Sequence, residues 1–145
     1  MTDTQFDPLK LENQLCFPLY ACAREVVKRY KPFLDDIDLT YTQYVTMMVL
    51  WEKPEVTSKE IGERLHLDSG TLTPVIKKLA EKGLVTRSRS PEDERNLVVT
   101  LTDAGRDLRQ RALAVPARMG QCIRLDPADA QALYRILYQL LDCME

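Results

Sequence analysis

The length, composition and charge of this chain set the first limits on its function. Its 145 residues are 45% hydrophobic and 29% charged, as in a folded protein of about one domain. The net charge of −2 and the pI near 5.5 exclude a protein that binds nucleic acid indiscriminately, so DNA contacts would need a local basic patch. No apolar run reaches the roughly 20 residues that cross a bilayer, and the acidic N-terminus has no signal core, so we expect a cytoplasmic protein without a membrane span.

Two helices are predicted in the first third of the chain. From Leu9 to Tyr30, apolar residues recur at helical spacing, and Pro18 requires that this helix either kinks there or starts close to Cys16. The pattern is interrupted at residues 31–32. A second helix is predicted from Tyr41 to Trp51, because capping side chains precede it and a proline follows it.

The centre of the sequence predicts a helix-turn-helix. Thr57 and Glu60 have the spacing of a capping box, in front of a short helix from Ser58 to Leu65. A further helix from about Gly70 to Lys82 ends at Gly83, a residue type favoured after helix C-termini. Two short helices around a tight turn form the motif.

A β-hairpin, or wing, is predicted directly after this motif. The runs Leu84 to Arg89 and Asn96 to Leu101 are rich in β-branched residues and are joined by residues 90–95. Between Lys77 and Arg95 there are six basic and four acidic residues, so this region is more basic than the chain as a whole.

Apolar helices at both ends of the chain predict a homodimer. A long helix is predicted to begin at residues 102–105, and Pro116 and Gly120 are expected to disturb its continuation. A terminal helix is predicted to start after Asp126 and Pro127. The winged core can cover only part of these apolar surfaces, and a second copy of the chain is the economical partner.

The predicted architecture is therefore mainly α with a small β-hairpin, arranged as a dimeric winged helix-turn-helix protein. We expect a single domain over residues 1–145. Its DNA-binding core lies at about 39–101, and its dimerisation helices lie at about 9–35 and 103–145. A two-fold symmetric dimer of this kind matches palindromic double-stranded DNA.

The second helix of the motif and the wing carry the candidate DNA contacts. The helix start has hydroxyl groups that can donate to phosphates or bases, a proline that can touch a thymine methyl group, and a lysine one turn further on. An arginine at the wing can enter the minor groove, held by an acidic residue two positions earlier. Each feature alone also fits a capped helix or a solvated turn, but the combination is more specific. The predicted DNA-binding residues are Ser69, Thr71, Thr73, Pro74, Lys77, Arg87, Asp93 and Arg95.

The four cysteines, at positions 16, 22, 122 and 143, follow no metal-binding spacing. With a single histidine in the chain, neither a Cys/His metal site nor a cofactor is predicted. In a reducing compartment the default interpretation of each cysteine is a small, buried apolar side chain, and a special role needs further context.

Four stretches of the sequence resemble the MarR family of winged-helix regulators, and within it the organic hydroperoxide sensors of the OhrR type. Residues 11–17, LENQLCF, and residues 67–74, LDSGTLTP, are distinctive of that subfamily. Residues 39–44, LTYTQY, add to the match, and Asp93 with Arg95 is general to MarR proteins. The resemblance covers nearly the whole chain and implies a transcriptional repressor rather than an enzyme.

The resemblance also implies a thiol sensor. In those sensors the cysteine that matches Cys16 is oxidised by organic hydroperoxides to a sulfenic acid, and tyrosines that match Tyr30 and Tyr41 hydrogen-bond its sulfur. Tyr20, one helical turn from Cys16, is a further candidate for this task. A helix start and phenol donors can stabilise a thiolate, which is the nucleophilic form. Ordinary interface packing is the alternative role for the tyrosines.

Some members of the family carry a second cysteine that forms a disulfide between subunits, and Cys122 lies close to where they carry it. The resemblance thus favours a bridge from Cys16 to Cys122 of the partner subunit, which would rotate the DNA-binding lobes and release the operator. Cys143 lies near the chain end, and Cys22 is expected in the core. Pro18 departs from the family pattern.

Three alternatives remain open at this point. A regulator of the same type that is released by a small aromatic ligand predicts indifference to Cys16→Ser. A thiol peroxidase predicts multiple turnover, although the chain lacks the strand and helix alternation of thioredoxin-like enzymes. A dimerisation module without DNA binding predicts that Arg95→Ala changes nothing measurable about DNA.

Overall fold

The computed structural model describes residues 6–89, 92 and 96–145. Helices dominate these residues and a small antiparallel sheet accompanies them, so the predicted mainly α architecture is confirmed. After a 3₁₀ turn at Leu11–Asn13, the elements in chain order are α1 (Cys16–Asp35), α2 (Tyr41–Glu52), β1 (Glu55–Thr57), α3 (Ser58–Leu65), α4 (Ser69–Glu81), β2 (Val85–Arg89), β3 (Leu97–Leu101), α5 (Asp103–Ala112), α6 (Ala114–Cys122) and α7 (Pro127–Cys143).

Helix α1 begins at Cys16, one of the two starts that the sequence allows. Pro18 is its third residue, where no intrahelical N–H bond is required, so the proline is tolerated there. The predicted interruption at residues 31–32 is wrong, because the helix continues through Pro32 to Asp35. Pro32 lies in the last turns, where only one hydrogen bond is lost, and the next turn is held by the buried Leu34.

Helices α2 and α3 start at threonine caps. Thr40 accepts the Gln43 N–H at 3.3 Å while Gln43 Oε1 accepts the Thr40 N–H at 3.1 Å, which completes a capping box. Thr57 accepts the Glu60 N–H at 3.2 Å. The Glu60 carboxylate lies 3.2 Å from Lys53 Nζ. Of the predicted capping box, the structure therefore shows the bond to the Thr57 side chain, while the Glu60 side chain contacts Lys53.

The wing is part of a three-stranded sheet in the order β1-β3-β2. The predicted hairpin of β2 and β3 is confirmed, with Arg87 opposite Val99. The sequence interpretation missed β1, which pairs with the other side of β3 and places Val56 opposite Val99. Most of the hairpin tip, including Asp93 and Arg95, lies outside the described residues.

The core lies between the helix-turn-helix, helix α2 and the sheet. Helix α2 has apolar residues on several sides, and it is buried because α1, α3, α4 and α5 all pack around it. The most deeply buried side chains are Leu34, Tyr44, Met47, Leu50, Ile61, Leu72, Ile76, Leu79, Val99 and Val115.

The C-terminal helices leave this core. The predicted long helix breaks at Leu113 rather than at Pro116 or Gly120, because Pro116 falls in the first turn of α6, where a proline fits. Helix α7 starts at Pro127 as predicted, but no residue of α7 is buried. Large apolar side chains stay exposed on α7, on α1 and at the residue before α1: Leu15, Phe17, Leu19, Tyr20, Val27, Leu133, Tyr134, Ile136, Tyr138 and Leu140. Within the described ranges, no helix is long and apolar enough to cross a membrane.

Candidate functional site

The N-terminal turn of α4 presents the predicted DNA-reading side chains to solvent. Asp68 Oδ1 accepts the Thr71 N–H at 2.7 Å, and this hydrogen bond lowers the pKa of the Asp68 carboxyl. Ser69, Thr71 and Thr73 are all exposed. The Thr73 hydroxyl donates to the Ser69 carbonyl at 2.7 Å, so in this conformation only its lone pairs are free for a further partner.

Pro74 and Lys77 continue the exposed face of α4. Pro74 lies inside the helix and has no N–H for the Gly70 carbonyl, four residues earlier. On the opposite face, Leu72, Ile76 and Leu79 are buried and fix the helix to the core. The predicted contacts on α4 therefore lie on one accessible surface.

The wing contributes Arg87, which is exposed at the centre of β2. Its partner across the ladder, Val99, lies on the same face of the sheet and is completely buried, whereas the Arg87 side chain, on the edge strand, is exposed to solvent. Asp93 and Arg95 are outside the described residues, and their predicted roles stay predictions.

All four cysteines are exposed in the chain, so the expectation of buried cysteines, and of Cys22 in the core, is wrong. Periodicity identified the faces of α1 and α7 that carry apolar residues, but these faces lie outside the core of the single chain. Cys16 is the first residue of α1, where unpaired backbone N–H groups favour nearby negative charge. Cys122 is the last residue of α6, and its thiol donates to the Arg118 carbonyl at 3.7 Å.

Tyr30 and Tyr41 lie against each other, with ring centroids 4.9 Å apart. Tyr44 is the third ring of this cluster, at 5.9 Å from Tyr30 and 6.4 Å from Tyr41. Burial raises the pKa of Tyr30 and of Tyr41, and burial together with the two neighbouring phenols raises the pKa of Tyr44 to about 12. The three phenols therefore remain neutral O–H groups at physiological pH.

The tyrosine cluster and Cys16 are far apart within one chain. Tyr30 lies 14 positions after Cys16 on the same helix, a separation of about 21 Å at about 1.5 Å per residue. Tyr20 is the only one of the three proposed tyrosines near Cys16; it is exposed, and the Arg24 guanidinium lies 5.4 Å from its ring centroid. A single chain thus brings Tyr30 and Tyr41 together but does not bring them to Cys16.

Known regulators are similar to this chain over most of its length. The family profile described as transcriptional regulator SarA/Rot matches residues 28–112, more than half of the chain. The organic hydroperoxide resistance transcriptional regulator of Bacillus subtilis (strain 168) is 45% identical over 142 residues, 98% of this chain and 97% of the relative. The chain belongs to the MarR/SarA family of winged-helix transcriptional regulators.

Two solved structures of this family, both of AbfR, are particularly informative. Reduced AbfR bound to DNA is 36% identical, with a TM-score of 0.75 over 93% of this chain and 94% of AbfR. AbfR with a disulfide formed is 37% identical, with a TM-score of 0.64 over 90% and 92%. AbfR is a protein of Staphylococcus epidermidis. At nearly equal identity, this MarR/SarA-family chain is closer in shape to the two DNA-bound forms of AbfR, reduced and overoxidised, than to the disulfide form.

The part of the chain that the structure describes contains no evident metal-binding site. No three His, Cys, Asp or Glu side chains cluster there in a way that could hold an ion. The candidate sites carry exposed thiols, neutral phenols and basic side chains.

Proposed function

We propose that this regulator is a homodimeric repressor that binds palindromic operator DNA and releases it when an organic hydroperoxide oxidises Cys16. The observation that carries this proposal is an exposed thiol at the first residue of α1, in a chain similar along its whole length to a regulator of organic hydroperoxide resistance. Such a repressor would work in the cytoplasm, where bacterial DNA lies.

The sensing reaction is a two-electron oxidation of Cys16. Its thiolate attacks one peroxide oxygen, an S–O bond forms, the O–O bond breaks, and the alcohol leaves after taking up a proton. Cys16 becomes a sulfenic acid and the hydroperoxide is reduced to the alcohol. A second thiol then attacks the sulfenic sulfur, forms the disulfide, and expels the hydroxyl group with the thiol proton as water.

We assign the second thiol to Cys122 of the partner subunit. Along α1, Cys16 and Phe33 are about 26 Å apart, since 17 residues separate them. Arg118, one turn before Cys122, has its guanidinium 4.3 Å from the Phe33 ring centroid. Cys122 therefore lies near the C-terminal end of α1 of its own chain, far from Cys16 at the other end. A disulfide needs Cα atoms within about 7 Å. A bridge between subunits is the arrangement that these distances favour.

The same distances support tyrosines acting across the dimer. Because Tyr30 and Tyr41 of one chain are about 21 Å from its own Cys16, we assign the phenol donors at Cys16 to the partner's Tyr30 and the partner's Tyr41. Tyr20 of the same chain lies one turn away and is the third donor. Neutral phenols are suited to this role, because each can donate an O–H to a thiolate.

The exposed apolar surfaces of α1 and α7 supply the proposed dimer interface. Both helices expose large side chains on surfaces that single soluble chains normally cover. Residues 9–35 and 103–145 would form the dimerisation region, and residues 39–101 the DNA-reading core. With two copies related by a two-fold axis, the two α4 helices would enter successive major grooves of a palindrome.

DNA contact is assigned to the exposed face of α4 and to the wing. Ser69, Thr71, Thr73, Pro74 and Lys77 would meet bases and phosphates, Arg87 would contact the backbone, and Arg95 with Asp93 would act at the minor groove. Formation of the intersubunit disulfide would displace both cores. The closer likeness to the DNA-bound forms of AbfR, reduced and overoxidised, than to its disulfide form supports two distinct shapes for this fold.

A second candidate function is release by a small aromatic ligand, which one cleft favours. This cleft of about 240 Å³ lies between α2 and the α5–α6 segment, and it combines aromatic rings with a guanidinium that can bind a carboxylate. Its lining is Tyr44, Met48, Trp51, Glu52, Arg109, Ala112, Leu113 and Pro116.

One titration separates these functions. Cumene hydroperoxide is added to the reduced protein on a DNA duplex that the protein itself selects from a random-sequence pool. Covalent dimer on non-reducing gels and DNA binding are then followed in parallel. Wild type, Cys16→Ser, Cys122→Ser and the matched control Cys143→Ser are compared. We expect the wild type and Cys143→Ser to crosslink and release DNA together, and Cys16→Ser to do neither.

Two results would change the proposal. Release that needs Cys16 but gives no crosslink would replace the disulfide with a single-cysteine mechanism. Release that is indifferent to Cys16→Ser would reject the thiol sensor, and salicylate as a probe aromatic carboxylate would then test the cleft.

A further inference from the structure

The segment between α1 and α2, residues 36–40, is held from two sides. We call it the junction. Ile37 and Leu39 are buried and anchor it in the core. Asp38, between them, has a φ of 54°, a left-handed conformation that a non-glycine residue keeps only when its surroundings hold it there. The Leu39 N–H donates to the Leu34 carbonyl at 3.1 Å and closes the turn.

Helix α6 holds the first residue of the junction. Arg118 Nη1 lies 2.7 Å from Asp36 Oδ2, and its guanidinium stacks on the Phe33 ring at 4.3 Å. Arg111, at the end of α5, donates to the Asp36 carbonyl. Arg118 also accepts, through its backbone carbonyl, the thiol of Cys122. Cys122, the proposed second thiol of the disulfide, is thus one helical turn from Arg118, which contacts the junction.

The DNA-reading helix holds the other side of the junction. Lys82, the C-cap residue of α4, donates from Nζ to the Asp38 carbonyl and to Gln43 Oε1 at 3.1 Å, and Nζ lies 3.5 Å from Asp38 Oδ2. Gln43 is buried and its Oε1 also accepts the Thr40 N–H. These contacts tie the C-terminal end of α4 to the junction, on the side away from the exposed DNA-reading turn.

We infer that Arg118 and Lys82 are positioning residues that transmit displacement of α6 through the junction to α4, and so make DNA release depend on the state of Cys122. The inference rests on the proposed function. Arg118 and Asp36 are both substantially exposed, so their ion pair alone contributes little, and the position of α6 is set jointly by this pair, the guanidinium on the Phe33 ring and the Arg111 hydrogen bond to the Asp36 carbonyl. Neither Arg118 nor Lys82 is among the proposed DNA contacts.

The test measures a release ratio, defined as the dissociation constant for DNA after oxidation divided by that before oxidation. The probe is the duplex selected by the wild-type protein, and cumene hydroperoxide is the oxidant. Lys82→Met and Arg118→Met keep an unbranched, flexible apolar stem and remove the charged donor. Lys78→Met and Arg124→Met are matched controls with the same loss of charge. Non-reducing gels verify that all variants reach the same disulfide yield.

We expect Lys82→Met and Arg118→Met each to lower the release ratio by at least about fivefold, the lower end of typical coupling between sites, and the controls to keep the wild-type ratio. Because both residues act in one path, the double variant should lose no more than the larger single loss. Lys82→Arg, which keeps a donor, should retain most of the ratio. If Lys82→Met does not fold, Arg118→Met and its control decide the question.

Other outcomes overturn the inference in distinguishable ways. Wild-type ratios in both methionine variants, at full disulfide yield, would show that the junction transmits nothing. Losses that multiply in the double variant would indicate two independent effects instead of a path. A wild-type protein that keeps its DNA after oxidation would reject the proposed function itself, and the inference with it.

Discussion

Trp51 donates its indole N–H to the Gly105 carbonyl at 2.9 Å, which ties the end of α2 to the first turn of α5. Gly105 is buried at this contact, and its N–H is capped by Thr102 Oγ1 at 3.1 Å. A Cβ atom at position 105 would lie 2.2 Å from the Leu84 carbonyl oxygen and 2.7 Å from Leu101 Cδ1. The DNA-reading core and the helix that leaves it can approach this closely only because a side chain is absent here.

We expect Gly105→Ala to lower the free energy of unfolding by about 1–3 kcal/mol or more, because the backbone of Leu84 cannot move aside easily. The matched control is Gly120→Ala in α6, where a Cβ would meet nothing within 4 Å. That change should raise the free energy by about 0.5–1 kcal/mol, as usual for alanine in a helix. Urea unfolding at equal protein concentrations measures both. Equal effects of the two substitutions would contradict the steric argument.

The buried phenol of Tyr44 predicts a loss of stability at alkaline pH. Its pKa rises from 10.0 in the unfolded chain to about 12 in the folded protein, mainly through burial. Below pH 10 both states are protonated and the contribution is fully present; above it the unfolded state loses its proton first, so stability falls as the pH approaches 12. The free energy of unfolding of the wild type should therefore decrease more steeply over this range than that of Tyr44→Phe. Parallel curves in urea unfolding would argue against the burial of this phenol.

Mixed dimers test whether the tyrosines act across the subunits. One dimer pairs a Cys16→Ser chain with a chain carrying Tyr30→Phe and Tyr41→Phe, so the remaining Cys16 faces intact tyrosines. The other pairs a wild-type chain with one carrying all three changes, so the remaining Cys16 faces phenylalanines. We expect the first dimer to form sulfenic acid at Cys16 faster with cumene hydroperoxide, as read by a sulfenic-acid-specific label.

Both mixed dimers carry the same substitutions in total, so a general loss of stability affects them equally. The opposite order of rates would place the working tyrosines in the same chain as Cys16, against the separation of about 21 Å along α1. Equal rates would assign Tyr30 and Tyr41 to packing alone.

Lys77 on the exposed face of α4 predicts a specific change in the salt dependence of DNA binding. If it contacts a phosphate, Lys77→Met should reduce the slope of log affinity against log salt concentration by about one per protomer. Lys28→Met on α1 makes the same charge change away from the DNA-reading face and should leave the slope unchanged. A Lys77→Met slope equal to that of the wild type would remove Lys77 from the proposed phosphate contacts.

The winged helix-turn-helix could be predicted from the sequence because its signals are local. Thr57 caps α3, and Gly83 has the positive φ of 76° that its place after a helix requires. Strand β1 carries no such signal, since three residues become a strand only by pairing with β3. The break at Leu113 was missed for a related reason: Pro116 marks a helix start rather than an interruption.

The sequence could suggest which residues form the candidate sites, but it could not predict how those residues are arranged in space. Family resemblance selected Cys16, Tyr30 and Tyr41, and the helix geometry of α1 then separates the cysteine from the tyrosines. Periodicity placed Cys22 on a helix, but it cannot say which chain covers a given face, and that face is open in a single chain. The hydrogen bond from Lys82 to the Asp38 carbonyl joins residues that are distant in the sequence, and no local sequence pattern predicts such a contact.

Thr57 has two roles in different kinds of structure. It ends β1, where it pairs with Val98, and its hydroxyl also opens α3. One residue thus ends the ladder between β1 and β3 and caps α3, so the sheet and the first helix of the DNA-reading motif are joined directly. We expect the two to form one cooperative unit in hydrogen exchange. A DNA-reading core that behaves as one unit would meet DNA as a rigid body, and the proposed sensor region would need only to move it as a whole.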